Sequence, residues 1–246
     1  MINKTNNKQE FNHFHDLSEE WWLPNGKFKT LHSITPLRIK YIKNNIGLPI
    51  ENNIHNNEIL KDIDILDLGC GGGLVCEPLA RLGAKITGID FVKENIEIAK
   101  KHAKTSSLKI EYMTQNISSI NLKNKFEVIL VLEVIEHIYN WENVFIKIIK
   151  KYLKPNGKII FSTINRTALS KIFAIFFAEN ILKWIPKKTH QHDKFVKPEE
   201  LINFLERSGM QVTDTTGLFF NPLTREWVFN KQLTHINYFC TAKKIN

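Results

Sequence analysis

The stretch 63–90, I-D-I-L-D-L-G-C-G-G-G-L-V-C-E-P-L-A-R-L-G-A-K-I-T-G-I-D, constrains the fold more than any other part of the chain. The short, mainly apolar run 63–68 reads as a buried strand. It ends in a glycine cluster, Gly69, Gly71, Gly72 and Gly73. Residues 74–82 read as a helix stopped by Gly83. Residues 85–89 read as a second strand with Asp90 at its tip. This is the β-α-β opening of a parallel sheet. Glycine carries no Cβ, so the backbone of such a loop can pass close to a bound molecule. An acid at the tip of the second strand is placed to accept hydrogen bonds from ribose hydroxyls. The dinucleotide fingerprint needs glycine at its first, third and sixth positions. Counted from Gly69, the third is Gly71 but the sixth is Leu74, so that fingerprint is absent.

D-L-G-C-G-G-G followed by T-G-I-D resembles the cofactor loop of class I S-adenosylmethionine-dependent methyltransferases. That cofactor has no pyrophosphate and needs no phosphate-gripping helix start. The alternative reading is a tight turn in an α/β protein with no ligand.

A chain of 246 residues suits one large domain with an insertion. It buries enough of its surface, about 70–75%, to hold together without staples. The three cysteines, Cys70, Cys76 and Cys240, lack metal-ligand spacing and read as free thiols in a reducing compartment. The start, M-I-N-K-T-N-N-K-Q-E, has neither an apolar signal core nor an Arg-rich amphipathic pattern. No apolar run is long enough to span a bilayer. The net charge of +9 suits nucleic acid, acidic lipid or an anionic substrate, and equally reflects AT-biased codon usage.

In chain order, 1–62 reads as an amino-terminal arm and linker. Within it, E-E-W-W-L-P-N-G-K-F-K-T-L-H-S-I-T-P-L-R reads as a helix, a turn at 24–26, and a second helix opening at Thr35 with Pro36 in its first position. Exposed Trp21 and Trp22 would be costly, so the arm is expected to cover something, in this fold the cofactor cleft. Arg38 then either binds the cofactor's methionyl carboxylate or is a solvated helix residue. Residues 63–165 form the expected cofactor-binding core. Its third strand is 108–113, followed by Gln115 and Asn116, each an adenine contact or a simple turn residue. Its fourth, 126–132, is almost wholly apolar, as a central parallel strand requires. A helix at 140–152 and a fifth strand at 158–164 follow. Residues 166–195 interrupt the alternation. Residues 196–246 resume with a helix at 198–208 and two closing strands, 210–219 and 235–243, in an antiparallel hairpin. The expected fold is α/β: a Rossmann-like, seven-stranded, mostly parallel sheet with helices on both faces, an amino-terminal helical arm and a helical insertion after strand five.

Ligands in such sheets bind beyond the carboxyl ends of the strands. L-E-V-I-E-H-I, after the fourth strand, therefore borders the site. Glu133, Glu136 and His137 form E-x-x-E-H, and residues three and four apart share a helical face. Two carboxylates and an imidazole suit Mg²⁺, and also Zn²⁺ or Mn²⁺. Such a metal could chelate a catechol and lower its hydroxyl pKa. His137 is alternatively a general base. A third reading is a helix start with acids at its positive end. The insertion carries I-F-A-I-F-F-A at 172–178, flanked by Lys171, Lys183, Lys187 and Lys188 with Trp184 nearby. This is either an interfacial helix for anionic lipid or a buried lid. Either makes the site apolar and suits a prenylated substrate.

W-W-L-P-N-G-K-F-K-T-L-H-S-I-T-P-L-R, D-L-G-C-G-G-G-L, T-G-I-D, E-V-I-E-H, F-S-T-I-N-R, I-P-K-K-T-H and G-L-F-F-N-P-L together resemble the ubiquinone biosynthesis O-methyltransferase family from about residue 11 onward. The resemblance implies methyl transfer from S-adenosylmethionine to hydroxyls of a polyprenyl catechol or demethylubiquinol. It implies cofactor contacts at Arg38, Gly69, Asp90 and Leu132, to which the glycine loop adds Gly71, and a divalent metal, Mg²⁺ first, at Glu133, Glu136 and His137. The insertion adds the expectation of a cytoplasmic protein, peripheral on the inner face of the bacterial inner membrane through 168–188, and assembly with other quinone-biosynthesis enzymes is a further expectation. Relatives often carry Cys and Met in the stretch that here reads V-L-E-V-I-E-H. R-E-W-V-F-N-K-Q-L-T-H-I-N-Y matches less clearly and receives no role. Nucleic acid is not an expected partner, because the fourth strand lacks an N-P-P-Y-like sequence and no RNA-binding module follows. A cofactor-binding scaffold that docks on membrane without turnover is the non-enzymatic alternative.

Overall fold

The computed structural model describes residues 20–46, 58–170 and 194–245. In chain order these form α1 (Lys29–Ile46), β1 (Asp64–Leu68), α2 (Cys76–Arg81), β2 (Lys85–Asp90), α3 (Lys93–Thr105), β3 (Glu111–Thr114), β4 (Phe126–Leu132), α4 (Trp141–Tyr152), β5 (Leu153–Ile164), α5 (Pro198–Arg207), β6 (Met210–Asn221), β7 (Glu226–Asn230) and β8 (Asn237–Lys244). The strands make one sheet in the order β3-β2-β1-β4-β5-β8-β6-β7. The first five run parallel. β8 is antiparallel to both β5 and β6, and β7 closes the edge antiparallel to β6.

The sheet is apolar on both faces. Along β4, Val128, Leu130 and Leu132 face one way, with Tyr41 and Ile42 of α1, Leu79 of α2 and Ile96 and Ala99 of α3. Ile129 and Val131 face the other way, with Phe145, Ile148 and Ile149 of α4 and Leu201, Phe204 and Leu205 of α5. This alternation follows from the two-residue side-chain period of a strand. Each fully buried Ile, Leu or Phe here contributes about 1.5–3 kcal/mol. Strand order reverses at β1, between β2 and β4, and ligands of such sheets bind beyond the strand ends at this point. Among the described residues no helix is long and apolar enough to cross a membrane.

Three expectations are corrected. The sheet has eight strands among the described residues, not seven. The added one, β7, lies in R-E-W-V-F-N. Its residues are at best half-buried and do not alternate in polarity, so only pairing defines it: Phe220 opposite Trp227 and Leu218 opposite Phe229. The second arm helix begins at Lys29, so Pro36 lies inside it. An interior proline costs about 3 kcal/mol. The helix persists because Thr30, Ile34, Arg38, Tyr41 and Ile42 recur on one face and all are buried. Third, E-x-x-E-H is not on a regular helix, as detailed below. The insertion falls mostly at 171–193, outside the described residues.

Candidate functional site

The glycine loop is tied to β2 by its own backbone. The N–H groups of Gly69 and Cys70 both donate to the Ile89 carbonyl, at 2.7 and 3.0 Å. Gly69 and Gly71 sit at φ +76° and +53°, where other residues are strained. A Cβ on Gly69 would lie 2.4 Å from Val134 Cγ2, so the loop touches the turn after β4. The Gly71 N–H donates to Asp90 Oδ2 at 3.0 Å. The Val92 N–H donates to Asp90 Oδ1 at 2.8 Å, and Asn95 Nδ2 approaches the same oxygen at 3.5 Å. Burial raises the Asp90 pKa, and the bonds from Val92 and Gly71 hold it back.

The arm covers this loop. A Cβ on either Gly71 or Gly72 would lie 2.4 Å from the Trp21 side chain. The Trp21 indole N–H donates to Asn95 Oδ1 at 2.8 Å, and its ring stacks on Phe28. The Trp22 indole N–H donates to the Gly72 carbonyl at 3.0 Å while its ring stacks on His102 at 3.5 Å.

Arg38, presented by α1, is only 5% exposed. Its Nη2 lies 3.5 Å from Glu133 Oε1, yet Nε and Nη2 have no hydrogen-bond partner. Burial pulls its pKa down, and the charges of Glu133, Asp67 and Glu136 pull it back up. Buried polar atoms are almost always satisfied. A buried guanidinium with idle N–H groups fits a carboxylate, and with the glycine cradle it fits an amino-acid-bearing nucleoside such as S-adenosylmethionine. Asp67, in the same region, is pushed up to about 6 by burial, opposed by the Cys76 thiol that donates to it at 3.1 Å and by Arg38. Leu132 stands one residue past Val131, the last β4 residue paired with β1, so its backbone borders the crevice.

After β4 the chain turns sharply. Glu133 has φ +56°, and only Ile135–His137 is helical, as a single 3-10 turn. Glu133 Oε1 accepts from Ser162 Oγ at 2.8 Å and Asn237 Nδ2 at 3.0 Å. Glu136 Oε2 accepts from Thr163 Oγ1 at 2.9 Å. Ser162 and Thr163 are consecutive in β5, so their side chains leave opposite faces of the sheet. The two carboxylates are thereby drawn to opposite faces instead of sharing a helical one. Burial and the Glu133 charge push Glu136 up to about 7, against the pull of His137. His137 itself is exposed. Among the described residues no three His, Cys, Asp or Glu side chains gather as a metal-holding group. As arranged, Glu133, Glu136 and His137 do not fit a shared metal.

Gln115 and Asn116 serve the local turn: Gln115 Oε1 accepts from the Asn121 N–H and Asn116 Oδ1 from the Ser118 N–H. Sequence reasoning missed the contacts of Asn95, Asp67, Ser162, Thr163 and Asn237. Only the adjacent Ser162 and Thr163 carried a signal, two hydroxyls in the otherwise apolar run I-I-F-S-T-I at 159–164, and both are fully buried.

A family model described as a methyltransferase domain matches residues 49–215. The fold agrees with solved methyltransferases at low sequence identity. A Thermotoga maritima structure described as an S-adenosylmethionine-dependent methyltransferase, possible histamine N-methyltransferase, superposes with TM-score 0.66 at 16% identity, covering 95% of this chain and 99% of that one. Magnesium protoporphyrin IX methyltransferase from Synechocystis, with S-adenosylmethionine bound, gives 0.63 at 16% identity over 99% and 98%. Fold and family model thus define an S-adenosylmethionine-dependent methyltransferase. Two relatives named ubiquinone biosynthesis O-methyltransferase, from Pelagibacter ubique and Bartonella tribocorum, are 46% and 42% identical over 94% and 99% of this chain and 95% and 100% of their own. The chain belongs to the ubiquinone biosynthesis O-methyltransferase family.

Proposed function

We propose that the protein transfers a methyl group to a ring hydroxyl of a polyprenylated catechol or demethylubiquinol. The observation that carries this reading is the near full-length similarity to relatives of that name. Bound S-adenosylmethionine supplies an electrophilic methyl on a sulfonium. Arg38 receives its carboxylate through the idle Nε and Nη2. Asp90 meets the ribose, Gly69 and Gly71 admit the backbone-close approach, and Leu132 lies along the adenosine through its backbone. The ring oxygen attacks the methyl carbon, the carbon–sulfur pair returns to sulfur, and the phenolic proton leaves to His137.

No step is routed through a metal at Glu133, Glu136 and His137, because among the described residues they do not gather as a metal-holding group. Residues 63–165 act as the cofactor-binding part of a single methyltransferase domain. Segment 168–188 carries the peripheral contact with anionic lipid on the cytoplasmic face of the inner membrane, where the prenylated substrate and other quinone-biosynthesis enzymes are met.

The test is transfer of labelled methyl to a short-chain polyprenyl catechol with and without chelator. Transfer indifferent to chelator is expected. Activity lost to chelator and restored by Mg²⁺ would return the metal to the E-x-x-E-H residues. No transfer despite cofactor binding would overturn the acceptor assignment.

A further inference from the structure

The Asn237 carboxamide is oriented but only half used. Its Nδ2 donates to Glu133 Oε1 at 3.0 Å. A carboxylate only accepts, so this bond fixes which end of the amide is nitrogen. The Oδ1 at the other end is closed off from solvent and has no hydrogen-bond partner.

The placement of that oxygen is informative. Asn237 opens β8, opposite Ile164 of β5 and Leu218 of β6. Two residues along, Phe239 pairs with Ser162. Asn237, Ser162 and Leu218 therefore share one face of the sheet, the face against which α1 is packed. A single atom, Glu133 Oε1, meets Arg38 Nη2, Ser162 Oγ and Asn237 Nδ2. The orphaned oxygen is thus one carboxamide away from the atom that faces the buried guanidinium.

A neutral oxygen beside a carboxylate repels anions and takes a hydrogen-bond donor. The proposed acceptors carry two vicinal ring hydroxyls, of which one is methylated and the other keeps its proton. We propose that Asn237 Oδ1 accepts the hydrogen bond of the hydroxyl that is not methylated. Held there, the ring presents the neighbouring oxygen to the methyl. Asn237 is then a specificity-determining residue that selects vicinal diols over single phenols. This rests on the reaction proposed above.

The test compares wild type and Asn237→Ala on two acceptors: a short-chain prenyl catechol and the matching phenol lacking the second hydroxyl. The ratio of variant to wild-type kcat/KM is taken for each acceptor, which removes their intrinsic difference in reactivity. For the catechol the variant is expected to fall about 5- to 150-fold, the range set by leaving a buried polar group unpaired. For the phenol it is expected to change less than about twofold, since no bond is lost. Cofactor affinity by calorimetry is expected to stay near wild type, which certifies the fold. Where Asn237→Ala fails to bind cofactor, Asn237→Ser carries the same comparison. Equal losses on both acceptors, or no loss on either, would overturn the Asn237 assignment while leaving the reaction intact. A wild type that methylates neither ring would overturn the reaction itself, and the assignment with it.

Discussion

The crevice has two sides built in different ways. At β1 and β2, Gly69, Gly71 and Asp90 lie within one β-α-β unit and are joined by backbone N–H groups. At β4, β5 and β8, Glu133, Ser162 and Asn237 come from three separate strand ends and meet through side chains on one carboxylate oxygen. The first side follows from local backbone geometry. The second exists only once distant strands have paired.

The sharpest way to break the first side alone is Gly71→Ala. Its Cβ would meet the Trp21 ring at 2.4 Å and its φ is +53°. Left-handed backbone costs roughly 1–2 kcal/mol and overpacking about 1–3 kcal/mol. Denaturant unfolding should show a loss within the sum of these, and calorimetry a severe loss of cofactor binding. Adding Trp21→Ala should recover the steric share. An unshifted midpoint would mean that the loop and arm are not in contact.

The turn after β4, which sends Glu133 to the second side and Glu136 to the opposite face, answers to pH instead. Glu136 has a folded pKa of about 7, raised by burial and Glu133. Its contribution to stability is fully present below the unfolded value and is lost as pH rises through the folded one. Glu136→Gln removes that loss. At pH 8 the variant should be more stable by about 3 kcal/mol, with little difference near pH 4.5. Parallel stability curves across this window would show that Glu136 ionises freely in the fold.

Asp90→Ala returns to the first side. Losing a buried hydrogen-bond partner should weaken cofactor binding by about 1–3 kcal/mol. An unchanged dissociation constant would remove Asp90 from the cofactor site. The smallest effect is expected from Trp22→Phe. It deletes the N–H bond to the Gly72 carbonyl but keeps a ring over His102. The expected cost is about 1 kcal/mol. A larger one would mean that the stacking depends on the indole itself.

The same contrast governs what could be read from sequence. The strand at 63–68, the loop and Asp90 were legible because glycine spacing and apolar runs are local signals. Even Trp21 and Trp22 announced a covering role by their cost in water, though not that Gly71 and Gly72 would receive them. Glu133 and Glu136 misled, because a spacing of three implies a shared face only if the chain is helical there. The left-handed Glu133 breaks that premise. Asn237 was illegible: its importance is its partner Glu133, 104 residues away. β7 was missed for the same reason, since a short half-buried strand is defined by its neighbour.

Tyr41 of α1 donates to Asp214 and accepts from Thr241, the latter 200 residues further along. A chain made from its amino end releases α1 early, but the surface that receives this helix is complete only after β8 has been added. Closure of such distant contacts is slow. The glycine loop can therefore form on a half-made chain, whereas the guanidinium that α1 carries is buried only at the end of folding. Burial of Arg38 thus reports that β8 is in place.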